Sequence, residues 1–141
     1  MSGIADVKNR RKRRKRKSHA PTGEDLVMGG LLRRGFEVQL LDRQEHVLLV
    51  QAADSPKSIQ VKTVHFPPWY VRRASFVRSP ADQVTVYVLL GLERGIWSAR
   101  FFVVRNSDLA AQLCHSPTSN PIGFIDAQSV EKYEDNWEVL R

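Results

Sequence analysis

The stretch Ser58-Ile59-Gln60-Val61-Lys62-Thr63 decides how this chain is read. Side chains along a strand alternate between faces, so Gln60 and Lys62 project from one face while Ile59 and Val61 enter the other. An amide and an amine are thereby held side by side on a scaffold whose reverse side is apolar.

Working outward, the segments 36–41, 46–53 and 58–65 read as a three-strand meander. The turns Asp42-Arg43-Gln44-Glu45 and Asp54-Ser55-Pro56-Lys57 separate them. Upstream, Thr22 is placed to cap a helix over 22–34, which Gly35 stops. Gly29 and Gly30 each cost that helix roughly 1 kcal/mol relative to alanine, so close packing on the sheet is expected there. Downstream, Phe66-Pro67-Pro68-Trp69-Tyr70 leaves the strand as a loop, because two prolines remove two ladder donors. Val84-Thr85-Val86-Tyr87-Val88-Leu89-Leu90 is nearly all apolar, as in a strand covered on both faces. Phe101-Phe102-Val103-Val104 belongs to another, with a break over 91–95 between them. Asn106 or Ser107 is placed to cap a short helix to about residue 113, and 114–121 reads as loop. A last helix over 127–140 would set Val130, Tyr133, Trp137 and Leu140 in one apolar stripe. The expected fold class is α/β (α+β), a central mixed sheet flanked by helices.

The 141 residues suit one domain with a real core. Charge is unevenly spread, with nine of the 22 basic side chains and no acid in residues 8–17. Residues 18–141 hold 13 Lys and Arg against 14 Asp and Glu, so the net charge of +7 belongs to the arm. The division expected is a basic arm and linker over 1–20 and a folded domain over 21–141. Such a run repels itself and has no apolar face to bury, so it is expected to stay disordered in isolation. Arg10, Arg11, Lys12, Arg13, Arg14, Lys15, Arg16 and Lys17 suit a polyanion, by releasing its condensed counterions. A targeting signal or an anionic lipid surface fits the same composition. The lone Cys114 forms no internal disulfide, and no segment reaches the ~20 apolar residues of a membrane span, so an intracellular setting is expected. His19, His46, His65 and His115 show no ligand spacing.

The order of elements, with Gly23-Glu24-Asp25-Leu26-Val27 opening a helix, Leu31-Leu32-Arg33-Arg34-Gly35 closing it and Gln60-x-Lys62 in the third strand, resembles the PD-(D/E)xK nuclease-like superfamily, which includes restriction endonucleases and Holliday junction resolvases. The resemblance runs from about residue 22 to the end and implies a restriction-endonuclease-like core. It implies Glu24, Gln60 and Lys62 as catalytic residues, with Mg²⁺ or Mn²⁺ as cofactor, DNA as the more expected nucleic acid, and a homodimer as a common assembly. Where the family places a metal-binding aspartate, 14 residues ahead of Gln60, this chain has His46, giving Glu24, His46 and Gln60 as the implied metal ligands. That set carries one formal negative charge, thin for a hard dication. Glu45, next to His46, would restore a carboxylate if a bulge turned it inward.

Arg72, Arg73 and Arg78 could line a phosphate groove beside Lys62, and Trp69 and Tyr70 could stack on unpaired bases. Each residue also has a plain structural role open to it: Glu24 as a helix-dipole partner, His46 as a solvated strand end, Lys62 as a snorkelling side chain. Three functions follow: a metal-dependent DNA endonuclease or close descendant, a nucleic-acid binder that kept the fold without catalysis, or a partner-binding module with a targeting arm.

Overall fold

The structure is a computed structural model and describes residues 20–52, 55–78, 80, 82–110 and 121–141, without the side chains of Val77 and Arg78. The basic arm, Cys114 and the expected loop at 114–120 lie outside it.

Helix α1 spans Gly23–Arg33. Thr22 caps it, its hydroxyl accepting from the Asp25 amide at 3.2 Å, and Glu24 and Asp25 place negative charge at the positive end of the helix dipole. Gly35 then takes a φ of +85°, a left-handed conformation that favours glycine. Strands β1 (Glu37–Asp42), β2 (Val47–Gln51) and β3 (Pro56–Val64) form the antiparallel meander. In the turn before β2, the Asp42 carboxylate accepts from the amides of Gln44 and Glu45.

After β3 the chain crosses over through β4 (Trp69–Arg72) and the short helix α2 (Arg73–Arg78). Parallel pairing needs a connection of this length, and β5 (Val84–Glu93) does lie parallel to β3, with Lys62 opposite Tyr87. β6 (Ile96–Arg105) returns antiparallel to β5, completing a mixed sheet of order β1-β2-β3-β5-β6. The central mixed sheet and flanking helices are those the sequence leads one to expect. The expected break over 91–95 shrinks to a tight turn, because Arg94 and Gly95 both adopt positive φ and let the strands pair through to Glu93 and Ile96.

Alternation divides the core in two. On one face, Ile59, Val61, Val86 and Val88 pack with Val27 and Leu31 of α1. On the other, Tyr87, Phe102 and Val104 pack with Trp69 and Val71 of β4 and Phe76 of α2. Strand β7 (Ile122–Ile125) pairs with β4 in a separate two-stranded sheet over this second face. No described helix is long and apolar enough to cross a membrane.

Three local expectations are corrected. The close approach of α1 to the sheet is made by Gly23, where a Cβ would sit 1.8 Å from Thr63 Oγ1, whereas a Cβ on Gly29 would meet nothing and one on Gly30 only ordinary contacts. The helix after β6, α3 (Asn106–Leu109), has Arg105 at its cap position; the Asn106 side chain accepts from the Thr85 hydroxyl at 2.7 Å instead of capping. The last helix is broken. Only Ala127–Val130 (α4) is α-helical, Asp135 turns with a φ of +55°, and Trp137–Leu140 is a 3₁₀ turn. The stripe is therefore split, with Val130 and Tyr133 joining the second core and Trp137 and Leu140 the first.

Candidate functional site

β2 pairs with β3 only as far as Gln60, so beyond that residue the two strands part. At the fork the His46 carbonyl accepts from the Val61 amide at 2.8 Å, and His46 itself holds a φ of +58°. Non-glycine residues seldom adopt this conformation, and histidine is among those that tolerate it best. Two cavities flank the fork and share Lys62.

The first, of about 270 Å³, lies on the Gln60 face and is lined by Glu45, Gln60, Lys62, Arg72, Ser75 and Tyr87, with Thr85 and Asn106. We term it the lysine cleft. Its side chains are mostly polar, and three of them, Lys62, Arg72 and Glu45, are formally charged. Burial lowers the Lys62 pKa; Arg72 adds to the effect, while Glu45 opposes it. A half-buried ammonium gains most from an anion that replaces its lost water. Tyr87 is fully buried, and among the described residues its hydroxyl makes no well-formed hydrogen bond. Burial pushes the phenol pKa up, with a hydrogen-bonding contact from the Thr85 side chain, too poor in geometry to satisfy the hydroxyl, pulling the other way.

The second, of about 410 Å³, lies against the start of α1 and is lined by Thr22, Gly23, Glu24, His46, Lys62 and His65 among others. We term it the helix cleft. Glu24 is buried at 7% exposure, and its carboxylate is engaged by His46 Nδ1. Gly23 makes this geometry possible, since its missing side chain lets the first turn of α1 lie against Val61 and Thr63. His65 Nδ1 faces the Leu90 carbonyl at 3.0 Å, and the His65 ring leans on Trp97.

The residues singled out from sequence thus fall into two groups. Glu24 and His46 meet in the helix cleft, Gln60 opens into the lysine cleft, and Lys62 borders both. Arg72 lines the lysine cleft. Arg73 does not line it; its Nε and Nη2 are buried without a hydrogen-bond partner among the described residues. The Arg78 side chain and residues 10–17 lie outside the description. Trp69 is corrected: it belongs to β4, is fully buried, donates from its indole to the Val88 carbonyl at 3.1 Å and packs edge-on against Tyr87 and Phe102. It offers no ring to a base. Tyr70, on the other face of β4, is 64% exposed.

Sequence reasoning missed Ser75, Thr85, Tyr87 and Asn106 as cleft residues. Tyr87 was legible in principle, as the one aromatic residue of β5. Thr85 shares β5 with it, while Ser75 and Asn106 come from α2 and α3, whose approach to the sheet depends on the tertiary fold.

No family model matches the chain, and no curated protein matches it. Among solved structures, the chain resembles Hjc of Archaeoglobus fulgidus, a Holliday junction resolvase from an archaeal hyperthermophile, with a TM-score of 0.52 over 84% of this chain and 92% of that one. Identity is 15%, so the likeness is one of fold.

Proposed function

We propose that this protein acts on nucleic acid, as a close descendant of the nuclease fold whose lysine cleft grips the phosphodiester backbone. The observation that carries the reading is the position of Lys62: half-buried at the fork of β2 and β3, bordering both clefts, with Arg72 beside it. The fold shared with a Holliday junction resolvase supports it. The basic residues 10–17 would add sequence-independent attraction, steeply weakened by salt.

In an active member of the superfamily the Glu24, Gln60 and His46 positions would hold Mg²⁺ or Mn²⁺. As arranged here they do not fit such an ion. The Glu24 carboxylate is taken by His46, Gln60 opens into the other cleft, and among the described residues no three His, Cys, Asp or Glu side chains gather to hold a metal. Backbone binding is therefore the better-supported activity. A second reading, metal-dependent DNA cleavage, is favoured by one observation: Glu45 lines the lysine cleft with Gln60 and Lys62, which returns a carboxylate to the catalytic side of the fork.

Nicking of supercoiled and branched DNA with Mg²⁺ or Mn²⁺, run beside binding titrations, separates the two. The expected result is binding without cutting, weakened at least tenfold by Lys62→Ala, as for loss of a charged hydrogen-bonding partner. Metal-dependent cutting abolished by Lys62→Ala and Glu45→Gln would establish the second reading. Undiminished binding by Lys62→Ala would defeat the cleft assignment.

A further inference from the structure

The lysine cleft holds a polar group that the proposed function has not used. We propose that the Tyr87 hydroxyl is the neutral hydrogen-bond donor of that cleft, meeting a phosphate oxygen of the bound nucleic acid beside Lys62. The inference rests on the reading above and specifies how the ligand is held.

Three observations support it. Tyr87 is the β5 residue opposite Lys62 in the parallel register, so the two side chains leave neighbouring strands at the same level. Both line the one cavity. The hydroxyl is buried and, among the described residues, makes no well-formed hydrogen bond, its contact with the Thr85 side chain falling short of one; such a condition costs a folded protein free energy and few native groups show it. Packing does not require the oxygen: the ring is held by Trp69, at 5.5 Å between centroids, and phenylalanine would fill the same space. Thr85, its side-chain neighbour, commits its own proton to Asn106 at 2.7 Å.

The chemistry selects the ligand class. Lys62 and Arg72 supply positive charge, Ser75 a hydroxyl, and Tyr87 a hydroxyl that stays protonated, so the cleft presents donors to an oxyanion and Glu45 stands as its one carboxylate. A tetrahedral phosphate presents several acceptor oxygens at once, and a protonated phenol donates to one without adding charge.

The test is Tyr87→Phe in the full chain, compared with wild type and Lys62→Ala. Affinity for a fluorescein-labelled single-stranded oligonucleotide would be read by anisotropy at fixed salt, and thermal stability with and without inorganic phosphate. Expected for Tyr87→Phe are a Tm equal to or above that of wild type, a roughly tenfold weaker oligonucleotide affinity, and a smaller phosphate-induced rise in Tm. Unchanged affinity would overturn the proposal. A lowered Tm would overturn it too, by showing that the hydroxyl is satisfied within the protein. If Lys62→Ala leaves affinity unchanged, the backbone-gripping reading itself fails, an outcome distinct from a silent Tyr87→Phe.

Discussion

The two clefts that share Lys62 differ in what their polar groups are doing. In the helix cleft the chemistry is spent: Glu24 and His46 satisfy one another. In the lysine cleft it is available, with a half-buried amine, a buried hydroxyl that makes no well-formed hydrogen bond among the described residues and a carboxylate on the turn before β2. One residue accounts for much of the contrast. Where an aspartate would repel Glu24 unless a cation stood between them, a histidine pairs with it directly, so the helix glutamate is engaged within the protein.

The largest disturbance to that contrast should come from Gly23→Ala. A Cβ there would lie 1.8 Å from Thr63 Oγ1 and 3.1 Å from Thr63 Cβ, and a short β-branched side chain cannot swing far aside. A loss of about 1–3 kcal/mol is expected in urea unfolding, as for other overpacked cores; a change near zero would mean that α1 is free to shift on β3. His46→Asp comes next. Aspartate tolerates the left-handed backbone, so the expected cost, on the order of 1 kcal/mol, comes from facing Glu24 with a like charge. Mn²⁺ should recover the Tm of this variant and leave wild type unmoved. A wild-type response of equal size would show that the existing donors already hold the ion.

Lys62 sharpens the comparison through pH. Its pKa is lowered in the folded protein, so above that lowered value the unfolded chain binds the proton more and stability rises with pH, up to the ordinary value of 10.5. Wild type should therefore gain on Lys62→Met between neutral pH and about pH 10, measured by urea midpoints. A flat difference would place the amine in water. Arg100→Ala is the remote control: its paired contacts with Glu134 are on the surface, so a few tenths of a kcal/mol is expected, with no change in either cleft.

How much of this was readable beforehand depended on whether the signal was local. The meander, the Thr22 cap and the buried β5 are written in alternation and turn chemistry, and they form close to where the pattern puts them. The β4 strand was missed because Pro67-Pro68 speaks for a loop, while its partner β7 lies some fifty residues away and the pair stabilises itself only across that distance. The C-terminal stripe failed for a similar reason: spacing at i, i+3, i+7 and i+10 is satisfied by a continuous helix, yet the two halves serve opposite faces of the sheet. At the site, His46 was plain in the sequence at the position where the resemblance implies an aspartate. The Glu24–His46 pairing was not, because the two residues are 22 apart and meet only where β2 leaves β3.

The broken C-terminal segment has a further consequence. Turning at Asp135, it passes across the outer edge of β6, where the Asp135 backbone amide donates to the Phe101 carbonyl at 2.8 Å, Glu134 bridges Phe102 and the Asn136 side-chain amide donates to the Val103 carbonyl. The segment acts as a suture: it stitches the two cores together and seals against foreign strands the stretch of edge it crosses. A chain cut before Glu134 would lose Trp137 and Leu140 from one face and bare the β6 edge in the same event, so loosening of the core and exposure of a sticky edge are joined in one short piece of chain.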